Sequence, residues 1–180
     1  DDDGIFPGEF GDLVTYNVGL ESRDVSLGDV NGDGYVDAVF PDHNSANIAV
    51  MLGSVNGEFG NKSLNSTDSG GSSTFSLSLG DLNGDGVTDA VTANASVDSV
   101  SVLLGVGNGE FTAFRSFSVG DSPEHVRIAD LNNDGKTDFI VADMSGTTHY
   151  KRKISMGNMS ASTTDFMLKA RPPQNMRNTV

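Results

Sequence analysis

At 180 residues and 36% hydrophobic side chains the chain is long enough for one modest core, and without a single Cys it forms no disulfide and no thiolate metal site. Its 25 acidic against 11 basic residues give a formal charge of −14, which argues against nucleic acid as a partner, because phosphate affinity comes from Lys and Arg displacing counterions. No apolar run approaches the ~20 residues that cross a bilayer as a helix, so membrane insertion drops out as well.

In chain order, Gly8-Glu9-Phe10 opens a segment with apolar residues at Leu13, Tyr16 and Val18, which reads as a strand. Short β-type runs follow at Val25–Leu27, Val36–Phe40 and Ile48–Leu52, then a segment opening at Phe59. Asn61–Ser73 is rich in Ser, Gly and Asn and is expected to be an exposed loop. The same series returns at Phe75–Leu79, Thr88–Ala93, Val100–Leu104 and Phe111–Val119. Gly53, Gly105, Asn56-Gly57 and Asn108-Gly109 stand between runs, where residues that tolerate positive φ are expected to turn the chain. No helical period appears, so the expected class is all-β and antiparallel, with four strands per repeat.

The repeat itself is read from three acidic segments, Asp29-Val-Asn-Gly-Asp-Gly-Tyr-Val-Asp37, Asp81-Leu-Asn-Gly-Asp-Gly-Val-Thr-Asp89 and Asp130-Leu-Asn-Asn-Asp-Gly-Lys-Thr-Asp138, spaced by 52 and 49 residues. Gly-Glu-Phe recurs before each of them, at Gly8, Gly57 and Gly109. A unit of about fifty residues lies in the range of propeller blades. The first and third copies align without a gap at an offset of 101, so Phe10, Leu13, Tyr16 and Val18 correspond to Phe111, Phe114, Phe117 and Val119.

Within each acidic segment, oxygen donors at positions 1, 3, 5 and 9 and a Gly at 6 let a loop wrap one hard cation. Asp29, Asn31, Asp33 and Asp37 supply side chains and Tyr35 its carbonyl; the same roles fall to Asp81, Asn83, Asp85, Asp89 and Val87, then to Asp130, Asn132, Asp134, Asp138 and Lys136. Oxygen-only ligation favours Ca²⁺, which takes 6 to 8 ligands flexibly, over octahedral Mg²⁺, and three sites are expected. A lone Asp-Asn-Gly cluster reads as a turn. Three copies with the same spacing read differently, because carboxylates crowded into nine residues repel one another without a cation. An EF-hand is rejected: its twelfth position needs a bidentate Glu, where this chain has Phe40, Thr92 and Val141, and a strand follows instead of a helix.

The strings GDVNGDGYVDAVF, GDLNGDGVTDAVTAN and ADLNNDGKTDFIVAD, followed in two copies by IAVMLGSVNGEF and VSVLLGVGNGEF, resemble the FG-GAP (VCBS-type) repeats of integrin-α-like β-propellers and many secreted proteins, over about residues 5 to 150. The resemblance implies four-stranded propeller blades with Ca²⁺ in the loop between the first two strands of each. Under that reading residues 1–22 are the outer strand of an incomplete or strand-exchanged blade, 23–73, 74–122 and 123–170 are three blades, the last degenerate after 150, and 171–180 is a tail. Three blades fall short of the four to eight that close a propeller. The chain is therefore expected to be part of a larger propeller, or to form an irregular closed form or a self-assembling unit, including a head-to-tail filament in which one chain completes another's blade.

Residues 151–180 carry six basic residues and one acidic, +5 in all, which leaves −19 for residues 1–150 and suits a tail docking on an acidic body. Thr164–Lys169 reads as a weak fourth strand of the last blade. No nucleophile–His–acid spacing or phosphate loop appears among the scattered His43, His125 and His149, so no enzyme is expected. N-glycosylation sequons stand at Asn61, Asn65, Asn94 and Asn158, with Asn61 and Asn65 expected to be the best exposed. The expected function is a calcium-stabilised, extracellular structural or adhesive module acting through protein contacts, including contacts with itself. A lectin-like glycan binder is the alternative, weakened by the lack of Trp to stack on sugars. Extracellular placement rests on calcium, whose millimolar level there saturates even sites with Kd of ~10⁻⁴ M.

Overall fold

The computed structural model describes residues 13–18, 21–67, 73–112, 115–131, 133–143 and 148–151, the last four by backbone alone. Gly8–Phe10, the ligand candidate Asn132, the sequon Asn158, the proposed strand at Thr164–Lys169 and the tail 171–180 lie outside the described residues.

Three antiparallel sheets follow one another along the chain. The first is an up-and-down meander of β1 (Ser26–Gly28), β2 (Asp37–Asp42), β3 (Asn47–Met51) and β4 (Ser63–Ser66). The second repeats it with β5 (Thr74–Gly80), β6 (Asp89–Asn94), β7 (Ser99–Leu103) and β8 (Arg115–Ser118). The third contains β9 (Pro123–Ala129), β10 (Asp138–Asp143) and β11 (Thr148–Lys151) among the described residues. One 3₁₀ turn, Ala95–Val97, joins β6 to β7. The all-β, blade-by-blade reading of the sequence therefore holds, and the sheets form an open array of propeller-like blades.

The register repeats with the sequence. Ala38 pairs with Leu27 on one side and Met51 on the other, and in the next blade Ala90 pairs with Leu79 and Leu103. Because side chains alternate across a strand, each blade presents two apolar faces, and neighbouring blades bury them against one another. Val30, Val39, Ile48 and Val50 of the first blade meet Leu77, Ala90 and Leu103 of the second. The second blade's other face, with Leu82, Val91, Val100 and Val102, meets Val126 and Val141 of the third. β6 and β7 are covered on both faces, which is why every residue in them is buried. The first strands of the three blades also touch through polar groups. Asp24 accepts from the Ser76 hydroxyl at 2.7 Å, and Arg127 donates to that hydroxyl at 3.2 Å while lying 3.6 Å from Asp24.

Three expectations need correction. Asn61–Ser73 is not a plain loop, since β4 lies within it and Thr67 is buried, its amide donating to the Ala46 carbonyl at 2.7 Å. β4 is an outer strand held by backbone bonds to β3, with side chains mostly toward water, so it needs no apolar pattern. Gly53 and Gly105 are needed for close approach and not for positive φ: a Cβ there would stand 2.1 Å from the Val36 carbonyl oxygen and 2.2 Å from that of Thr88. Gly57 and Gly109 do turn at positive φ, at 73° and 85°.

The sequons divide as well. Asn94 is buried and its Nδ2 donates to Ser101 at 2.8 Å, while its Oδ1 takes the Thr92 hydroxyl at 3.1 Å. The Nδ2 of Asn65, the atom that a glycan would occupy, is also buried. Asn65 is therefore not the exposed acceptor expected from the sequence, whereas Asn61 is exposed.

Candidate metal centre

Each acidic segment forms the connection between the first two strands of its blade. Reversing the chain in so few residues requires two left-handed backbone positions, and the fourth and sixth residues supply them. Gly32 and Gly34 have φ of 77° and 87°, Gly84 and Gly86 84° and 85°, and in the third loop Asn133 and Gly135 56° and 77°. Asn133 holds this geometry without Gly because a short polar side chain tolerates it.

The loop then folds around its own first carboxylate. Asp29 accepts from the Gly32 amide at 2.7 Å and the Gly34 amide at 2.9 Å; Asp81 accepts from Gly84 and Gly86 at 2.6 and 2.9 Å. In the third loop Asp130 accepts from Asp134 at 3.2 Å and Gly135 at 2.8 Å. The third residue reaches the fifth: Asn31 Oδ1 accepts from the Asp33 amide at 3.0 Å and its Nδ2 donates to Asp33 at 2.8 Å, with the same pair at 2.8 and 2.7 Å for Asn83 and Asp85. The fifth-position carboxylates accept in turn from the amides of Tyr35, Val87 and Lys136.

The ninth residue does something the spacing alone does not announce. Asp37 is buried, and its two oxygens accept from the amides of Val30 and Gly53, both at 2.8 Å. Asp89 repeats this with Leu82 at 2.8 Å and Gly105 at 2.9 Å, and Asp138 accepts from Leu131 at 3.2 Å. One carboxylate thus ties the start of the loop to the end of the third strand. Gly53 and Gly105 come close enough because they lack a Cβ. Sequence reasoning assigned these aspartates a ligand role and missed the brace; the matched pairs Asp37–Gly53 and Asp89–Gly105, each 16 residues apart, were the available signal.

The electrostatics follow from this packing. The Gly34 amide, with burial opposing and the amides of Gly32, Asn31 and Asp33 helping, holds Asp29 below the usual carboxylate value. Burial works to raise Asp81, but the amides of Gly86, Gly84, Asp85 and Asn83 outweigh it and the net shift is downward. Asp89 is pushed up to about 6: burial is the main cause, the Gly105 and Leu82 amides oppose it, and the charges of Asp85 and Asp81 add to it. A buried carboxylate raised partly by two neighbouring carboxylates is relieved by a cation.

Among the described residues, no three His, Asp or Glu side chains stand clustered as a ready-made metal site. The donor chemistry nevertheless fits a hard cation. Each loop brings four side chains with hard oxygens into nine residues, its first and fifth carboxylates accept from amides of the same loop, and every carboxylate oxygen bonded to an amide keeps a second lone pair. A cleft of about 320 Å³ lies between the first two loops, lined by Asp29, Val30 and Gly32 on one side and Gly86, Val87 and Thr88 on the other, with no aromatic ring in its wall.

Face-packed antiparallel blades, two of four strands and a third with three among the described residues, each carrying this loop between its first two strands, define a repeat protein of the propeller-blade type. The profile of the FG-GAP-like repeat family matches residues 29–92 and 81–141, and the chain belongs to that family. No curated protein matches the chain. No helix of the described residues is long and apolar enough to cross a membrane.

Proposed function

We propose that the chain is a calcium-stabilised extracellular module that acts through protein contacts and carries out no catalysis. Asp29, Asn31, Asp33 and Asp37 with the Tyr35 carbonyl would hold one Ca²⁺, and Asp81, Asn83, Asp85 and Asp89 with the Val87 carbonyl a second. Asp130, Asn132, Asp134 and Asp138 with the Lys136 carbonyl would hold a third. Bound calcium would supply positive charge that neutralises the carboxylates and fixes the loops. The supporting observation is the buried Asp89, brought up to about 6 in a loop whose hydrogen bonding is repeated in the first blade.

The remaining work of the loop belongs to the chain itself. The first aspartate orders the turn, and the ninth joins that turn to the third strand, so that order imposed on the loop reaches the blade. Calorimetric titration of the EDTA-stripped chain with Ca²⁺ tests the reading. About three calcium ions per chain, with loss of one on Asp85→Ala, are expected; no heat and an unchanged melt would overturn it. The glycan alternative draws little support, because the cleft between the loops has no ring on which a sugar could stack.

A further inference from the structure

The three repeats place equivalent residues in different surroundings, and the comparison points to a partner. Val25, Leu77 and Val126 occupy one position of the first strand; Leu77 and Val126 are 0% exposed, covered by the preceding blade, while Val25 is 47% exposed. Two residues on, Leu79 and Ile128 pack into the interblade cores, but Leu27 is 62% exposed. The first blade therefore carries the face that its successors bury against a neighbour, with part of that face in water.

The opposite face shows the complementary gap. Val30 and Leu82, at the second position of their loops, are 2% and 3% exposed in the interblade cores, and their counterpart Leu131 in the third blade is 47% exposed.

Segment 13–18 shows what belongs between these faces. By the repeat spacing Tyr16 is the counterpart of Asn65, which sits on β4 and accepts from the Phe111 amide of the next blade at 3.1 Å. Tyr16 makes the corresponding contact: its hydroxyl accepts from the Phe59 amide at 3.2 Å, and the two rings meet edge to face at 5.5 Å. Segment 13–18 thus stands against the first blade as an outer strand stands against the next blade, yet it pairs with no sheet among the described residues, and Leu13 and Val14 are exposed.

We infer that the occupant is a second copy of this chain, joined head to tail. The third blade of one copy packs Leu131 and its face onto Val25 and Leu27 of the next, beside that copy's segment 13–18. The contact continues an interface that the molecule already makes twice, between its first and second and its second and third blades. Being heterologous, it either propagates into an open array or closes into a ring, and two copies bring six blades, within the four to eight that close a propeller. With 25 acidic residues against 11 basic in each copy, association strengthens as salt rises. The inference rests on the reading of the chain as a module working through protein contacts, and it names the partner.

Sedimentation velocity of the 180-residue chain in calcium across a hundredfold concentration range tests it, together with Leu27→Lys and Leu131→Gln. Both substituted side chains are exposed in the single chain, so at concentrations too low for the parent to associate their melts in calcium should match the parent's, which excludes misfolding. The parent should associate as its concentration rises, as a two-copy ring or as a lengthening array, each variant alone should be monomeric, and a mixture of the two should give a one-to-one dimer through the single intact interface. A monomeric parent at all concentrations overturns the inference. So does association that neither variant alters. A calcium-raised melt in a monomeric parent would sink the array and leave the calcium reading standing, whereas arrays that persist in chelator would do the reverse.

Discussion

Replacing Asp89 by Asn is expected to cost far more stability with calcium than without it. In the metal-free protein Asp89 is buried and binds its proton with a value of about 6, against 3.8 for a free carboxyl, a difference worth about 3 kcal/mol. Because the folded state holds that proton more tightly than the unfolded chain does, the contribution is fully present below 3.8 and is lost as pH rises through 6. Asn matches the charge of the protonated acid, but its Nδ2 cannot accept from one of the two amides that Asp89 braces, a loss of about 1 to 3 kcal/mol. In chelator at pH 7.5 the relief of the buried charge offsets that loss, so Asp89→Asn is expected to be about as stable as the parent, and near pH 4, where the parent is protonated, less stable by about 1 to 3 kcal/mol. In millimolar calcium the ionised carboxylate becomes the favoured form, and the variant should be the less stable of the two. Urea unfolding followed by far-ultraviolet circular dichroism measures this directly. Equal destabilisation by Asp89→Asn in calcium and in chelator, at both pH values, would refute the reasoning.

Other substitutions probe separate contacts. Gly105→Ala forces a Cβ onto the Thr88 carbonyl and pulls the Gly105 amide from Asp89, so a loss of about 3 kcal/mol in urea unfolding is expected, with the same direction for Gly53→Ala. Asn65→Ala removes the acceptor of the Phe111 amide and should cost about 1 kcal/mol, whereas Asn61→Ala at an exposed position should leave the unfolding midpoint unchanged. Chelation should lower the melting temperature of the parent, because saturation at ten to a hundred times Kd contributes roughly 1.4 to 2.7 kcal/mol per site. In chain secreted from glycosylating cells, peptide mass spectrometry should find Asn94 unmodified in the folded fraction, its Nδ2 being committed to Ser101.

The acidic loops were legible in the sequence because their demands are local: two residues at positive φ and a fixed ladder of short polar side chains. The strands facing a neighbouring blade were legible for the same kind of reason, since Ile48, Val50, Val100 and Val102 announce themselves by alternation. What escaped depends on partners far along the chain. β4 is polar because it is held by backbone bonds alone, so Ser63–Ser66 reads as loop until β3 is beside it. Asn65 and Asn94 look like surface acceptors because Asn usually is exposed, and only the Phe111 amide in one case and the Ser101 hydroxyl in the other reverse that. The brace from Asp37 to Gly53 spans two strands, and no window of nine residues contains it.

The outer strands β4 and β8 are four residues long and composed of Ser, Asn and Arg with one Leu and one Phe between them. Exposed strand edges ordinarily recruit further strands and grow into aggregated cross-β material, and short, polar, charged margins discourage that growth. A protein whose blades offer apolar faces fore and aft but hydrophilic rims at the side is free to lengthen in one direction only. Under the proposed head-to-tail contact, the rims of β4 and β8 would let copies stack without growing sideways.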